Sequence, residues 1–236
     1  MVSQPETVIE LNNVRFTWPD AEKATLDIPS LTVKRGQHIF IKGPSGCGKS
    51  TLLSLLTGIS SCESGTLKVL DTELSSLSQT QRDRFRADNI GYIFQQFNLL
   101  PYLSVIDNVI LPCHFSKRRK QGADSDLKQQ ARQLLSRLHL AEELLDKPVV
   151  ELSIGQQQRV AAARALIGKP QLVIADEPTS ALDFANRTAF IELLMEQAQL
   201  ADSTLVFVSH DPTLEALFDI SVDLQDINLI KTGSIN

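Results

Sequence analysis

The segment Gly43–Ser50, GPSGCGKS, decides the fold of this 236-residue chain. It fits the pattern G-x-x-x-x-G-K-[ST], in which glycines let backbone N–H groups turn inward around a phosphate. The apolar strand pattern Ile39–Ile41 precedes it, and the helical pattern Ser50–Leu56 follows it, so the positive end of a helix faces the same anion. The residues predicted to surround nucleotide phosphates are Gly43, Pro44, Ser45, Gly46, Cys47, Gly48, Lys49, Ser50 and Thr51.

Two side chains at the end of this loop have predicted chemical roles. Lys49 supplies a positive charge for the β- and γ-phosphates of ATP, and the Ser50 hydroxyl supplies a ligand for Mg²⁺. Cys47 lies inside the loop, so a bulky thiol reagent is expected to inhibit and ATP is expected to protect. A glycine-rich turn that arose by chance is the alternative, and the flanking strand and helix argue against it.

Three segments before the loop alternate apolar and polar residues, as strands with one buried face do. They are Val8–Leu11, Val14–Trp18 and Leu31–Val33, and turn residues such as Asn12 and Asn13 separate them. This pattern predicts a small N-terminal antiparallel β subdomain.

After the loop, apolar strands alternate with helical patterns. The strands are Ile90–Phe94, Leu172–Ala175 and Thr204–Val208. Such alternation predicts an α/β fold with a mostly parallel sheet flanked by helices on both faces. Residues from approximately 101 to 159 are helical in pattern throughout. We therefore expect one domain over 1–236, in which this helical subdomain is inserted into a core of approximately 1–100 and 160–236.

Composition restricts the possible partners. Hydrophobic residues make up 42% and charged residues 22% of the chain, as in ordinary globular proteins. The net charge of −5 argues against nucleic acid as a partner. The N-terminus lacks the pattern of a secretory signal, and no run approaches the roughly 18–20 apolar residues of a membrane span, so membrane contact is expected only through a partner.

The one basic cluster, Lys117–Lys120, is predicted from its composition to be a solvated loop. Lipid headgroups and the acidic face of a partner protein are the alternatives for this cluster.

Two carboxylates follow the apolar strand Leu172–Ala175. Ligands of a parallel sheet bind at the carboxyl ends of its strands, so Asp176 is placed to hold Mg²⁺ and Glu177 to accept a proton from an attacking water. A solvent-facing acidic pair is the alternative, and the phosphate loop upstream favours the functional interpretation.

The segment Leu152–Gln156, LSIGQ, begins a helix. Ser153 and Gln156 have the spacing of a capping box, which by itself is a sufficient structural explanation for both residues.

Taken in order, these segments resemble the ATP-binding cassette (ABC) ATPases over nearly the whole chain. LSIGQQQRVAAARAL is similar to the family's signature motif and helix, GPSGCGKST to its phosphate loop, and LVIADEPTSALD to its acidic strand and D-loop. The resemblance implies a P-loop NTPase fold and ATP hydrolysis with Mg²⁺. The sequence departs from the family at Ile154, where glycine is usual.

The resemblance also implies a homodimer that encloses two ATP molecules. Ser153, Gly155 and Gln156 then belong to the site of the other subunit's nucleotide, and Ile154 points away from the γ-phosphate. The remaining matches are an adenine-stacking aromatic, a Q-loop glutamine near Mg²⁺, a D-loop aspartate and a switch histidine, which are Trp18, Gln95, Asp183 and His210 respectively. Gln96 is the alternative to Gln95, and a core tryptophan is the alternative for Trp18.

The segment Arg86–Pro101 is similar to bacterial ATPases of lipoprotein-releasing and macrolide-efflux type. This implies export or extraction from the membrane through a separate transmembrane permease, with the ATPase peripheral on the cytoplasmic face of the inner membrane. The segment Thr179–Asp183 is nearer to the form common in importers, which keeps an importer ATPase as an alternative. A regulatory ATPase whose membrane partner controls an extracytoplasmic enzyme, and which transports nothing, is another alternative. A soluble DNA-repair or translation ABC ATPase is the last one, and it is disfavoured because the sequence shows no long coiled-coil insertion, zinc module or second cassette.

Overall fold

The computed structural model of the chain describes residues 6–123, 126–179 and 184–230. Contacts between residues divide the chain into two compact units. The described parts of Met1–Arg86 and Val206–Asn236 form one, named here the phosphate-loop unit. The described part of Ala87–Leu205 forms the other, named the signature unit. The predicted division into an α/β core and a helical subdomain of approximately 101–159 stays a prediction.

The phosphate-loop unit begins with strands. In chain order its first elements are β1 (Thr7–Phe16), β2 (Leu26–Lys34), β3 (Ile39–Lys42), α1 (Lys49–Leu56), β4 (Ser64–Val69), β5 (Thr72–Glu73), a 3₁₀ turn (Leu74–Ser76) and α2 (Gln79–Asn89), which ends in the signature unit. Four of these strands form an antiparallel sheet in the order β2-β1-β4-β5, which confirms the predicted N-terminal β subdomain. Its inward side chains, such as Leu11, Leu26 and Ile28, are fully buried.

The predicted turn at Asn12-Asn13 is wrong, because β1 runs through it as one ten-residue strand. The register between β1 and β4 shifts between Asn12 and Arg15, and Asn13 has a φ of 50°. Asparagine tolerates this left-handed conformation, and such a bulge bends a strand without ending it. Gly65 accommodates the bulge, since a Cβ there would lie 2.1 Å from the Asn13 carbonyl oxygen.

The signature unit contains most of the helices. Its elements are β6 (Ile90–Ile93), α3 (Val105–Phe115), α4 (Lys117–Gly122), α5 (Leu127–Arg137), 3₁₀ turns (Glu142–Leu144 and Val149–Glu151), α6 (Ile154–Leu166), β7 (Leu172–Asp176), α7 (Phe184–Leu200) and the first two residues of β8 (Thr204–Val208). Within this unit β6 and β7 pair in parallel. None of the helices in the described ranges has both the length and the hydropathy of a membrane span.

The chain then returns to the phosphate-loop unit through the rest of β8. The last elements are a 3₁₀ turn (Pro212–Leu217), β9 (Ile220–Asp223) and α8 (Leu224–Ile227). Strand β3 pairs in parallel with Val206–Val208 on one side and with β9 on the other. Phe40 of β3 stacks on Phe207 with ring centroids 6.1 Å apart and lies 5.3 Å from Phe218. Phe40 and Phe207 are fully buried and Phe218 is half-buried, so these rings pack the strand that leads into the phosphate loop against its neighbour.

The predicted loop at Lys117–Lys120 is also wrong, because these residues form helix α4. Arg119 is only 3% exposed, and its Nε–H donates to the carbonyl of Ile167 at 2.9 Å while its Nη2 donates to the carbonyl of Ala165 at 2.5 Å. These carbonyls belong to the C-terminal end of α6, where the last carbonyl groups have no N–H donor within the helix and a positive charge is stabilising. Burial lowers the pKa of Arg119 to about 10, so it remains charged near neutral pH.

Gly91 on β6 lies against the backbone of α6. A Cβ at this position would lie 2.2 Å from the Ala165 carbonyl oxygen, far inside van der Waals contact. Because backbone atoms oppose it, we expect Gly91→Ala to lower the free energy of unfolding by about 1–3 kcal/mol. Urea denaturation would measure this. Gly36→Ala is the matched control, since no atom lies within 4 Å of its Cβ position and it carries only the strain of a φ of 75°. Equal stability of the wild type and Gly91→Ala would contradict the close approach.

Candidate functional site

The phosphate loop connects β3 to the N-terminus of α1. Gly48 is the N-cap residue of α1 with a φ of 105°, and a Cβ there would lie 2.7 Å from Cδ2 of Leu26, so only glycine fits. No side chain caps this helix end, and its first turn has no acidic residue. Uncapped N–H groups at a helix N-terminus suit an anion such as phosphate.

The Lys49 side chain lies across this loop. Its ammonium donates to the carbonyl oxygens of Gly43 at 2.7 Å and Pro44 at 3.0 Å. These two bonds keep the positive charge over the curve of the loop, where the predicted phosphates would bind. Ser50 is exposed and Thr51 is 6% exposed on the first turn of α1.

Trp18 lies in the same unit and is not a core residue, because it is 43% exposed. Its ring meets the ring of Phe16 edge to face, with centroids 5.0 Å apart and planes at 88°. Its indole N–H donates to Oγ1 of Thr51 at 3.3 Å. The structure therefore places the predicted adenine platform in direct contact with the helix that follows the phosphate loop.

Cys47 is only 3% exposed, and this burial raises the pKa of its thiol, with the nearby charge of Lys49 opposing the change. A raised pKa means less thiolate at neutral pH, and the thiolate is the reactive form. Inhibition by a thiol reagent should therefore develop slowly in the folded protein.

This slow reaction is testable in a variant that retains Cys47 alone, with Cys62→Ala and Cys113→Ala. Labelling followed by mass spectrometry should be slower at pH 7 than in the urea-unfolded chain, and should accelerate up to about tenfold per pH unit as the thiolate fraction rises. ATP should slow it further. Labelling of the folded and unfolded chains at equal rates at pH 7 would contradict the burial of this thiol.

His210 follows β8 in the phosphate-loop unit and is exposed. The next residue, Asp211, accepts from the N–H of Thr213 at 3.1 Å and so begins the 3₁₀ turn after it. The predicted D-loop residue Asp183 lies outside the described residues.

In the signature unit, β7 ends at Asp176, one residue beyond the predicted strand Leu172–Ala175, and Glu177 follows with a φ of 45°. Both side chains are half-buried. The hydroxyl of Tyr92 on β6 donates to Oδ2 of Asp176 at 3.2 Å. Burial and the adjacent Asp176 carboxylate raise the pKa of Tyr92, so the phenol stays protonated and remains a donor. Sequence reasoning missed Tyr92, although the parallel pairing of two predicted strands was the signal that could have indicated it.

Gln95 and Gln96 are both exposed in a turn closed by the Phe97 N–H and the Phe94 carbonyl at 2.9 Å. Exposure therefore does not decide between the two glutamines. The segment after the turn is held by Arg164 of α6, which is 9% exposed and donates to the carbonyl oxygens of Phe97 and Asn98. Burial lowers the pKa of Arg164. Sequence reasoning also missed this contact, because nothing local relates residue 164 to residue 98.

Ser153 and Gln156 form the predicted capping box at the start of α6. The Ser153 N–H donates to Oε1 of Gln156 at 2.9 Å, and the Gln156 N–H donates to Oγ of Ser153 at 3.4 Å. Ser153, Gly155 and Gln156 line an open cavity of about 430 Å³. Ile154 is 55% exposed and is not among the residues that line this cavity.

Within each unit, then, some predicted residues are in contact. In the phosphate-loop unit, hydrogen bonds connect Trp18 with Thr51 and Lys49 with Gly43. In the signature unit, a hydrogen bond connects Ser153 with Gln156. These arrangements offer an aromatic face, a phosphate loop with its lysine, two carboxylates at a strand end, and a second helix N-terminus, that of α6, with its capping box beside a cavity.

Comparison with known sequences identifies a family model and curated relatives that match most of this chain. A family model described as ABC transporter matches residues 26–180. The macrolide export ATP-binding/permease protein MacB of Campylobacter jejuni is 38% identical over 210 residues, which are 89% of this chain and 32% of MacB. The bacitracin export ATP-binding protein BceA of Halalkalibacterium halodurans is 37% identical over 182 residues, which are 77% of this chain and 70% of BceA. The chain thus spans about a third of the length of the MacB relatives it matches.

A solved structure with a similar fold is the ATP-binding cassette MJ0796, in a dimeric post-hydrolysis state bound to ADP and Pi. Its TM-score is 0.80 at 33% sequence identity, and the match covers 95% of this chain and 100% of that one.

Proposed function

The chain belongs to the ABC transporter family and has the predicted ABC ATPase fold, and from this we propose that it hydrolyses ATP to drive export or membrane extraction through a separate transmembrane subunit. The observation that supports ATP binding most directly is the phosphate loop, where an uncapped helix N-terminus and the Lys49 ammonium surround one curve of backbone. The export direction is supported by MacB and BceA, which are both named export proteins.

In this proposal the phosphate-loop unit binds the nucleotide. The exposed face of Trp18 stacks on adenine, as a large π surface can. The N–H groups of the loop and the Lys49 ammonium bind the β- and γ-phosphates, and His210 steadies the γ-phosphate. Glu177 accepts a proton from the attacking water as a general base.

The proposed Mg²⁺ ligands are the Ser50 hydroxyl, the Asp176 carboxylate and the Gln95 amide oxygen. All three are hard oxygen donors, the type that Mg²⁺ prefers. Ser50 and Gln95 are exposed, and Asp176 is half-buried with its Oδ2 accepting from Tyr92. Bound Mg²⁺ would offset the negative charge that develops on the phosphates during transfer.

We propose that the second half of each site comes from a twin subunit. The N-terminus of α6, with Ser153 and Gly155, is suited to a γ-phosphate. The described residues that line its cavity all belong to the signature unit. Two subunits would therefore close around two ATP molecules and separate after γ-phosphate release, since that phosphate is the ligand both halves share. The proposed location is peripheral, on the cytoplasmic face of the inner membrane.

An assay of the chain together with its membrane partner distinguishes a transport function from a regulatory one. The chain would be co-purified with its membrane subunit, reconstituted into vesicles, and assayed for both ATP hydrolysis and solute movement. ATP-dependent movement out of the compartment that contains the ATPase supports export, and movement toward it supports the importer alternative. Hydrolysis that controls an extracytoplasmic enzyme without solute movement supports the regulatory alternative. Absence of Mg²⁺-dependent hydrolysis would contradict the proposed enzyme.

A further inference from the structure

The exposed ring of Trp18 is attached to a buried hydroxyl beside the phosphate loop. The indole N–H donates to Oγ1 of Thr51, a residue that is 6% exposed, while Trp18 itself is 43% exposed. Both residues belong to the phosphate-loop unit. The bond links residues 33 positions apart in sequence and joins the predicted base site to the predicted phosphate site.

Three contacts set the orientation of this ring. The edge-to-face packing on Phe16 orients one part of it, and the Thr51 hydrogen bond holds its polar edge. The backbone is fixed where the Ala21 N–H donates to the Trp18 carbonyl at 3.0 Å. Phenylalanine would keep an aromatic face but has no donor, so only part of this arrangement would survive that substitution.

The Thr51 hydroxyl has one further bond to make. A hydroxyl carries two acceptor lone pairs and one donor proton, and the indole N–H uses only a lone pair. Within the described residues the Thr51 hydroxyl has no acceptor for this proton, which leaves it for an acceptor at the start of α1, beside the loop. A hydrogen bond accepted by a hydroxyl also strengthens the bond that it donates.

We propose that Thr51 is a bridge that accepts from Trp18 and donates to the phosphate chain of the bound nucleotide, so that base stacking and phosphate binding are coupled. This inference rests on the proposed function, because it requires a nucleotide on the phosphate loop. Trp18 is then more than a stacking surface: through Thr51 it is a positioning residue for phosphates that it does not touch.

The first test needs no nucleotide. Trp18 is the only tryptophan in the chain, so the anisotropy decay of tryptophan fluorescence reports this ring alone. Thr51→Val, which removes the hydroxyl, is expected to increase ring mobility, whereas Thr51→Ser is expected to retain the wild-type decay. Thr57→Val is the matched control, since it removes a buried hydroxyl that bonds only within the same helix. An unchanged decay in Thr51→Val would overturn the bridge.

The second test measures binding by calorimetry. Tripolyphosphate has no base, so a ring that only stacks on adenine cannot affect it. We expect Trp18→Phe to weaken tripolyphosphate binding by at least about threefold, and to do so only when residue 51 carries a hydroxyl. The double variant with Trp18→Phe and Thr51→Val is also compared with the two single variants. Its fold-loss of ATP affinity should be at least about threefold smaller than the product of the two single fold-losses.

The outcomes separate the two proposals. The bridge is overturned if Trp18→Phe leaves the tripolyphosphate affinity unchanged and if the losses of ATP affinity in the two single variants multiply in the double variant. The proposed ATPase function would still stand in that case. A wild-type protein that binds neither ATP nor tripolyphosphate overturns the proposed function itself.

Discussion

Replacing Glu177 by glutamine is expected to leave ATP binding intact while slowing ATP hydrolysis by about two orders of magnitude or more. Glutamine has the same shape as glutamate and hydrogen-bonds as well, but it cannot accept a proton from water. Glu177 has a φ of 45°, and glutamine, which has the same branching at Cβ as glutamate, should retain this backbone conformation. Steady-state phosphate release and calorimetric ATP binding measure the two effects separately.

The same variant is expected to accumulate an ATP-bound dimer, since the shared γ-phosphate is no longer removed. Gel filtration with ATP would detect it as a species of twice the mass. Glu143→Gln is the matched control, because Glu143 is an exposed glutamate in the 3₁₀ turn Glu142–Leu144 and should not affect hydrolysis. Turnover within a few-fold of wild type in Glu177→Gln would exclude Glu177 as the general base.

The phosphate loop and the capping box of α6 could be predicted because their geometry is local. The glycine spacing of Gly43–Ser50 is enough to predict the loop, and the three-residue step from Ser153 to Gln156 is enough to predict the capping box. The buried strand Leu172–Asp176 was predictable for a similar reason, since an uninterrupted apolar run indicates burial on both faces.

The errors and omissions have a shared physical cause, which is contact between residues distant in sequence. Asn12-Asn13 has a turn composition, yet sheet partners on both sides of β1 keep it extended around a bulge. Arg119 belongs to a charged cluster, yet its guanidinium donates hydrogen bonds to the carbonyl oxygens at the end of α6 instead of to water. Neither partner is visible from the local composition.

Tyr92 and Thr51 illustrate the same limit inside the site. Each has a hydrogen bond whose partner is more than thirty residues away, to Asp176 and Trp18 respectively. Motif matching identified Thr51, Trp18 and Asp176 separately as nucleotide or metal residues. How they are held relative to their neighbours required the strand pairing and the loop geometry.

Two variants that are each inactive are expected to recover ATP hydrolysis when mixed. Lys49→Met removes the phosphate-loop charge, and Ser153→Asp places a carboxylate where the twin's γ-phosphate is proposed to bind. Aspartate is a good N-cap residue, so this change should preserve α6 while repelling the anion. In a mixed dimer, the intact Lys49 of one subunit faces the intact Ser153 of the other, which restores one composite site.

The recovery has a calculable ceiling. Random pairing in an equimolar mixture makes about half of the dimers mixed, and each mixed dimer has one intact site of two, so about a quarter of wild-type activity is expected. Circular dichroism melting of Ser153→Asp serves as the control for an intact fold. Cross-linking confirms that mixed dimers form. If mixed dimers form and hydrolysis does not recover, or if a permanently monomeric chain hydrolyses ATP at the full rate, then each subunit holds a complete site. The N-terminus of α6 would then have a role other than completing the twin's site.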